Sequence, residues 1–481
     1  MLLAVSLVPA PGRAASLKTL LHFDLTHGAN PNGALAIVPS GAALPAGTLI
    51  GGASTGGVAN RGLIFALTPP ASATTPWTLQ TLYPLTGQYQ LATPIGGITL
   101  LSGGGIAGAA SGGGPYWSGG LYTITPTTAA GATRSGAGSP PSPFTFEDCV
   151  DDFSDLYEVS PSKLPPHVFT ICLLEEFGAA KQEAARSTPQ LSTPTSLAPI
   201  DTGAPTGAPL PDGAGGLYAA FSASSPGSGA VVHLKPPANI KHIWPQTILY
   251  VFGQTPGDLA TPSGPVISGP HGTLYGATTF GGAHNAGGIY QLTPPAKAGG
   301  LWTEAIIWSF GATGDGIHPA GDLLLAPGGI IYGITPAGGT FGSGTVFQLT
   351  PPASGQTGWT ETLLYNFAGN DGGKGDAAFP EAGLFRDKAG NLYGTTEYGG
   401  ANLDGAVYKL TKPAAGATAW QETVLWSFTG GADGAVPLGK LVADAKGHLY
   451  GTTSLGGRPG AAVTNAIEAG RGYGTIFELI P

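Results

Sequence analysis

The sequence predicts an all-β fold: a seven-bladed β-propeller of four-stranded blades, closed by a strand from its own N-terminus. Three observations lead there. An internal repeat recurs seven times, short apolar runs are cut by Gly and Pro, and an unpaired strand pattern precedes the first repeat.

The repeat is clearest in two adjacent copies. One holds "WTETLLYNF", "FPEAGLFRDKAGNLYGTTEYGG" and "GAVYKLTKP"; the next holds "WQETVLWSF", "VPLGKLVADAKGHLYGTTSLGG" and "GTIFELIP". A marker, Pro-x-(Gly or Ala)-x-apolar, begins at Pro31, Pro94, Pro205, Pro262, Pro319, Pro380 and Pro437, the copy at Pro205 ending in Pro209. The spacings are 63, 111, 57, 57, 61 and 57 residues. A second marker, Trp-x7-Phe, occurs as Trp244–Phe252, Trp302–Phe310, Trp359–Phe367 and Trp420–Phe428, with Trp77–Leu85 and Phe169–Phe177 as weaker copies. Units of this length, with four apolar runs each, suit propeller blades, which bury their faces only by stacking on neighbours.

Composition agrees. The chain has 81 Gly and 44 Pro among 481 residues, yet 42% of it is hydrophobic and only 10% charged. Disordered chains show the opposite balance. Short strands joined by Gly/Pro turns fit better.

Within a unit, "AGLFRD" turns through "KAG" into "NLYGTT". Small residues with an apolar pair suit the crowded innermost strand, A, followed by B. "GAVYKLT" is then C, and "WQETVLWSF" the outer strand D. In this phase the last unit supplies A (Gly439–Ala443), B (Leu449–Thr453) and C (Thr475–Leu479) but no D. "SLKTLLHF", Ser16–Phe23, has the D pattern and would complete that blade and cap its edge. Blade 2 is irregular. Asp155–Pro161 is favoured as its C strand over Gly120–Pro126, and Phe169–Phe177 as its D strand. That leaves an insertion at about 111–154 and a polar loop at about 181–197.

Residues 1–15, "MLLAVSLVPAPGRAA", have a short apolar stretch and a small-residue site but no preceding Lys or Arg. They read as a signal peptide with a clipped or miscalled start, leaving 16–481 as one propeller that is secreted or periplasmic. In such a compartment Cys149 and Cys172 could pair or remain separate thiols. The net charge is −9 and no basic run occurs, so nucleic acid is not an expected partner. No apolar run reaches membrane-spanning length. A monomer is expected.

The strings "NLYGTTEYGG", "GTVFQLTPP", "WTETLLYNFAGNDG" and "HLYGTTSLGG" resemble the GloVer-type tandem repeat of exported bacterial proteins, most strongly from about Trp244 to Pro481. The resemblance implies a propeller and often a C-terminal surface anchor. It implies no activity. The sequence stops at Pro481 without such an anchor.

Candidate sites lie on the face carrying the D–A and B–C loops. Four residues before the marker Pro stands Asp201, Asp258, Asp315, Asp376 or Asp433; His27 and Gln90 replace it in the other two units. Asp in a turn accepts backbone N–H bonds, which explains the pattern without a ligand. The functional reading is a ring of carboxylates for Ca2+ or a cationic ligand, although calcium wants six to eight oxygens. Arg458 and Arg471 in the last B–C loop are further ligand candidates. Tyr116 and Trp117 in the blade 2 insertion lie on that face, where exposed aromatics can stack on sugars. The recurring Trp302, Trp359, Trp420, Tyr275, Tyr332, Tyr393 and Tyr450 read as packing between blades. "GASTG" at Gly52–Gly56 matches G-x-S-x-G, but a nucleophile elbow needs a strand-to-helix turn and this segment ends a strand. No cofactor is implied. The favoured function is a non-catalytic binder of an extracellular glycan, peptide or surface partner. The alternatives are a polysaccharide lyase or hydrolase acting at the channel mouth, and a structural envelope component.

Overall fold

The computed structural model describes residues 14–42, 44–72, 75–86, 91–102, 104–113, 119–124, 195–197 (backbone), 203–222, 229–236, 244–297, 299–369, 375–457 and 472–481. They form seven antiparallel blades arranged as a propeller. The only helical element among them is the single 3-10 turn Pro270–Gly272, and none is a helix long and apolar enough to cross a membrane.

Blade 4 shows the order, with A (Leu259–Ser268), B (Leu274–Gly281), C (Gly288–Thr293) and D (Thr303–Ser309) pairing in sequence. B and C strands are nearly continuous buried runs because both faces are covered by neighbouring blades. The B strand of blade 5, Ile331–Thr335, is buried throughout. D strands alternate exposed and half-buried positions at their start, since their outer edge meets water.

Blade 7 is built from both ends of the described chain. Its A (Val442–Ala443), B (Leu449–Thr453) and C (Thr475–Ile480) strands are completed by Ser16–His22, which pairs antiparallel with C. This N-terminal strand is a true D strand by a stringent test. In blades 1, 3, 4, 5 and 6 the C–D pairing slips by one residue at the same place, for example between Ile289 and Tyr290. The N-terminal strand has the same bulge between Thr19 and Leu21. A bulge adds local twist, which each blade needs as it fans outward.

Blade 2 differs from the sequence expectation. Its C strand is Gly120–Ile124 and its D strand Thr195–Leu197. Asp155–Pro161 and Phe169–Phe177 lie outside the described residues, and B runs on to Gly113. The long excursion therefore falls between C and D, after Ile124, and not between B and C from residue 111. Assuming a short C–D link, as in other blades, caused the error; here that link carries the insertion. Likewise, 195–197 of the expected polar loop is strand.

Two aromatic contacts repeat at the blade junctions. The D-strand Trp of one blade meets the B-strand Tyr of the blade before: Trp302 with Tyr218, Trp359 with Tyr275, Trp420 with Tyr332, and Trp77 with Tyr450, at 6.2 to 6.4 Å between centroids. The Phe ending each D strand meets the C-strand aromatic of the next blade: Phe252 with Tyr290, Phe310 with Phe347, Phe367 with Tyr408, Phe428 with Phe477. Phe23 closes the circle on Phe65, 5.3 Å away. The Gly of each "LYG" makes room for that C-strand ring: a Cβ on Gly451 would lie 2.5 Å from Phe477 Cζ.

The Pro-x-Gly marker has a packing cause at the axis. A Cβ on Gly33 would sit 2.8 Å from Gly97 N, on Gly96 2.6 Å from Gly207 Cα, on Gly207 2.9 Å from Pro265 N, on Gly321 2.7 Å from Gly383 N, and on Gly439 2.7 Å from Gly33 O. The innermost strands thus touch backbone to backbone. Just before the marker Pro, Asn30, Thr93, Thr261, His318, Phe379 and Val436 all have positive φ, at 53, 57, 59, 59, 57 and 55°. Left-handed backbone is costly for such residues. In five of the six it is held by a bond from the strained N–H to the preceding blade: Asn30 to Tyr473 O, Thr93 to Arg61 O, His318 to Ala286 O, Phe379 to Ser343 O, Val436 to Asp404 O, at 2.8 to 2.9 Å.

Candidate functional site

The D–A and B–C loops share one face, because A and C strands run away from it and B and D strands return to it. Four of the five repeated aspartates are described there; Asp201 lies outside the described residues, as do Arg458, Arg471, Cys149, Cys172, Tyr116, Trp117 and residues 1–13.

Each described aspartate is engaged in its own loop. Asp258 accepts N–H bonds from Gln254 (3.0 Å) and Leu259 (2.8 Å) and the Tyr250 hydroxyl (3.3 Å). Asp315 accepts from Gly311 and Gly316, at 3.2 and 2.7 Å. Asp376, buried, accepts from Ala368 N–H (2.7 Å) and the Tyr365 hydroxyl (3.2 Å). Asp433 accepts from Thr429 N–H, the Thr429 hydroxyl and Trp426 Nε1–H. These carboxylates close loops onto the preceding D strand. Among the described residues no group of three or more His, Cys, Asp or Glu is placed to hold a metal ion.

Three of these aspartates have a partner that sequence reasoning missed. Glu304, Glu361 and Glu422, third residues of the "W-x-E" opening each D strand, approach Asp258, Asp315 and Asp376 respectively. In each Glu, Oε1 is buried without a hydrogen-bond partner among the described residues. Burial, and then the neighbouring aspartate's charge, pushes the Glu304 carboxyl up to about 7 and raises those of Glu361 and Glu422. Burial also raises Asp315. A neutral glutamic acid shares a site with an aspartate that two anions could not. The signal was available, since Glu recurs two residues after Trp302, Trp359 and Trp420. An arrangement repeated at three successive blades belongs to blade packing.

Ser54 of "GASTG" donates to Asn30 O at 2.8 Å at the end of a B strand, so no nucleophile elbow forms.

What distinguishes this face is its exposed aromatic rings. Among the large hydrophobic residues described as exposed, every aromatic one is here: Phe280, Phe341, Phe379 and Tyr398. Phe280 ends a B strand and meets His318 of the next blade edge-on at 5.1 Å. His318 Nδ1 lies 2.7 Å from Thr279 O, so in the neutral ring the proton sits on Nδ1 and Nε2 is left as an acceptor. Phe379 and Tyr398 cross at 89° with centroids 6.0 Å apart. Beside them is a cleft of about 370 Å3 lined by Glu397, Tyr398, Asp404, Gly430, Val436 and Leu455, among others. Glu381, just after the strand Ala377–Pro380, feels the charge of the cleft residue Glu397; burial, then that charge, pushes its carboxyl up to about 7.

Lys440 Nζ reaches Asp322 Oδ2 at 3.2 Å from blade 7 to blade 5. Among the described residues the exposed rings form an arc over blades 4 to 6.

The model of the Gloeobacter/Verrucomicrobia repeat matches residues 204–465. No curated protein matches the chain. Solved structures resemble it at low identity. The polysaccharide lyase Uly1 is 10% identical at a TM-score of 0.47, over 99% of this chain and 94% of that one. A protein of unknown function from Dyadobacter fermentans is 12% identical at 0.42, over 98% and 99%. An oxidoreductase assigned as a glucose dehydrogenase, from Thermus thermophilus, is 14% identical at 0.38, over 97% and 100%. Likeness at this level carries no argument about chemistry.

Proposed function

The chain belongs to the Gloeobacter/Verrucomicrobia repeat family, and from that premise we propose that it is a non-catalytic, exported propeller that binds a polysaccharide on the face bearing its D–A and B–C loops. The observation that carries this reading is the concentration of exposed rings, Phe280, Phe341, Phe379 and Tyr398, on one face. Soluble proteins rarely leave such rings grouped in water without a use for them. Flat rings stack on the apolar faces of sugars, and the same arc offers acceptors and donors for hydroxyls: His318 Nε2, Glu397, and a Glu381 carboxyl that holds its proton to about pH 7.

The repeated Asp–Glu pairs support the non-catalytic side of the proposal. Three equivalent, half-buried copies between blades account for most of the raised carboxyls; the exception is Glu381, raised beside Glu397. The test is incubation of the purified protein with a panel of polysaccharides, scoring retention and release of reducing or unsaturated ends together. Retention without new ends supports the proposal. New ends would replace it with an enzyme.

A further inference from the structure

The opposite face, formed by the A–B and C–D turns, holds a larger cleft of about 690 Å3 between blades 6 and 7. Ligand pockets commonly fall near this size. Its walls are two hairpin turns of the same kind, "RDKAGN" and "ADAKGH", which bring Arg386, Lys388 and Lys446 to the cleft. Lys409 and Lys412 stand next to it. Lys409 Nζ lies 5.6 Å from the centroid of the Tyr393 ring, and a Cβ on Gly390 would sit 3.0 Å from Lys412 Cδ and 3.1 Å from Arg386 Nη2. Five of the chain's 19 Lys and Arg thus gather in one place on a protein of net charge −9.

Their charge is not neutralised internally. Among the described residues the one ion pair made by a Lys or Arg is Lys440–Asp322, at the axis. The two acids that line the cleft, Asp387 and Asp444, are engaged by their own turns. Asp387 accepts from Asn391 N–H (2.8 Å), Asn391 Nδ2 (2.8 Å) and the Tyr393 hydroxyl (3.2 Å). Burial works against these bonds, but the bonds win and hold Asp387 below the usual carboxylate range. Asp444 accepts from the N–H groups of Lys446 (2.8 Å) and His448 (2.9 Å) and from the Tyr450 hydroxyl (3.4 Å). Each carboxylate is committed to its own turn, while Lys388 and Lys446 extend into solvent from the turn tips.

We propose that this cleft binds an acidic saccharide, a short sugar chain bearing carboxylates or sulfates. The cations on both walls would meet successive anionic groups, and the mixed lining, with Phe385 and Tyr393 beside the charges, suits a sugar chain that has both polar edges and apolar ring faces. The site is separate from the aromatic face and does not depend on it.

The test is calorimetric titration of the folded protein with trigalacturonate, using neutral galactotriose and hexaglutamate as comparison probes. Wild type is expected to bind trigalacturonate, more weakly as salt rises, and galactotriose not at all. Lys388→Ala/Lys446→Ala, two exposed side chains whose loss leaves the turns intact, should weaken binding at least about tenfold. Phe280→Ala/Tyr398→Ala should leave it unchanged, which separates this site from the other face. No binding of trigalacturonate, or equal binding by the lysine variant, overturns the proposal. Binding of hexaglutamate in preference to the saccharide overturns it in favour of an acidic peptide.

Discussion

Lys440 Nζ lies 3.2 Å from Asp322 Oδ2, and the two residues stand on the inner strands of blades 7 and 5. The pair links two blades that are not neighbours, at a level where adjacent inner strands already touch through glycine. Both side chains are about a quarter exposed, at 24% and 26%. Lys440→Ala should therefore cost about 1–2 kcal/mol, between the values for exposed and buried pairs, and Asp322→Ala/Lys440→Ala should recover part of it. Urea unfolding of both single variants and the double variant measures the coupling.

Phe23 ties the N-terminal strand into the ring. It is 2% exposed and packs on Phe65 of blade 1. Phe23→Ala should cost about 3–5 kcal/mol, the usual range for a buried ring. It should also raise hydrogen exchange in Ser16–His22 and Thr475–Ile480 before other strands. Uniform exchange across all blades would mean that this strand does not close the fold.

The half-buried Asp–Glu pairs give the stability a pH dependence of defined sign. Glu304 titrates near 4.5 when unfolded and at about 7 when folded, because burial and Asp258 hold its proton on. A raised carboxyl contributes stability that is full below about pH 4.5 and is lost as the pH climbs through about 7. Glu361 and Glu422 act in the same direction. The melting temperature of wild type should fall between about pH 5 and about pH 8, and Glu304→Gln/Glu361→Gln/Glu422→Gln should flatten that fall. An unchanged slope in the triple variant would show that other groups set it.

Glycine at the axis is a spatial requirement. Gly207→Ala would press a methyl against Pro265, with Cβ 2.8 Å from Pro265 Cδ. A loss of about 1–3 kcal/mol is expected from that overpacking. Gly358→Ala, where a Cβ meets nothing within 4 Å, is the control and should be neutral or slightly stabilising. Denaturant midpoints of the two variants make the comparison.

The architecture was legible because every blade repeats the same physical solution. Pro-x-Gly marks the axis contact, Trp and Phe mark the two inter-blade ring contacts, and Ser16–His22 carries the D pattern that the last unit lacks. Blade 2 misleads where the repeat weakens: "GLYTI" and "DLYEV" look alike as strings, and only pairing with Ile106–Gly113 chooses the first. The repeated aspartates were visible, but their partners were not. Asp315 and Glu361 are 46 residues apart (361 minus 315) and meet only when adjacent blades stack. The aromatic arc was hidden for the opposite reason. Phe280 and Tyr398 share one repeat position, just before the Gly-Gly pair, but Ala337 and Leu455 stand there in blades 5 and 7, and Phe341 and Phe379 fall elsewhere in the repeat, so only their exposure groups the four.

The most direct measurement of the central claim is retention of the protein on immobilised polysaccharides, comparing wild type with Phe280→Ala/Tyr398→Ala. Both rings are about half exposed, at 44% and 47%, so the variant should keep its fold. The account predicts that wild type is retained on at least one polysaccharide and that the variant loses about tenfold or more in affinity at unchanged melting temperature. Equal retention of the two proteins, or no retention of wild type on any polysaccharide, would contradict it.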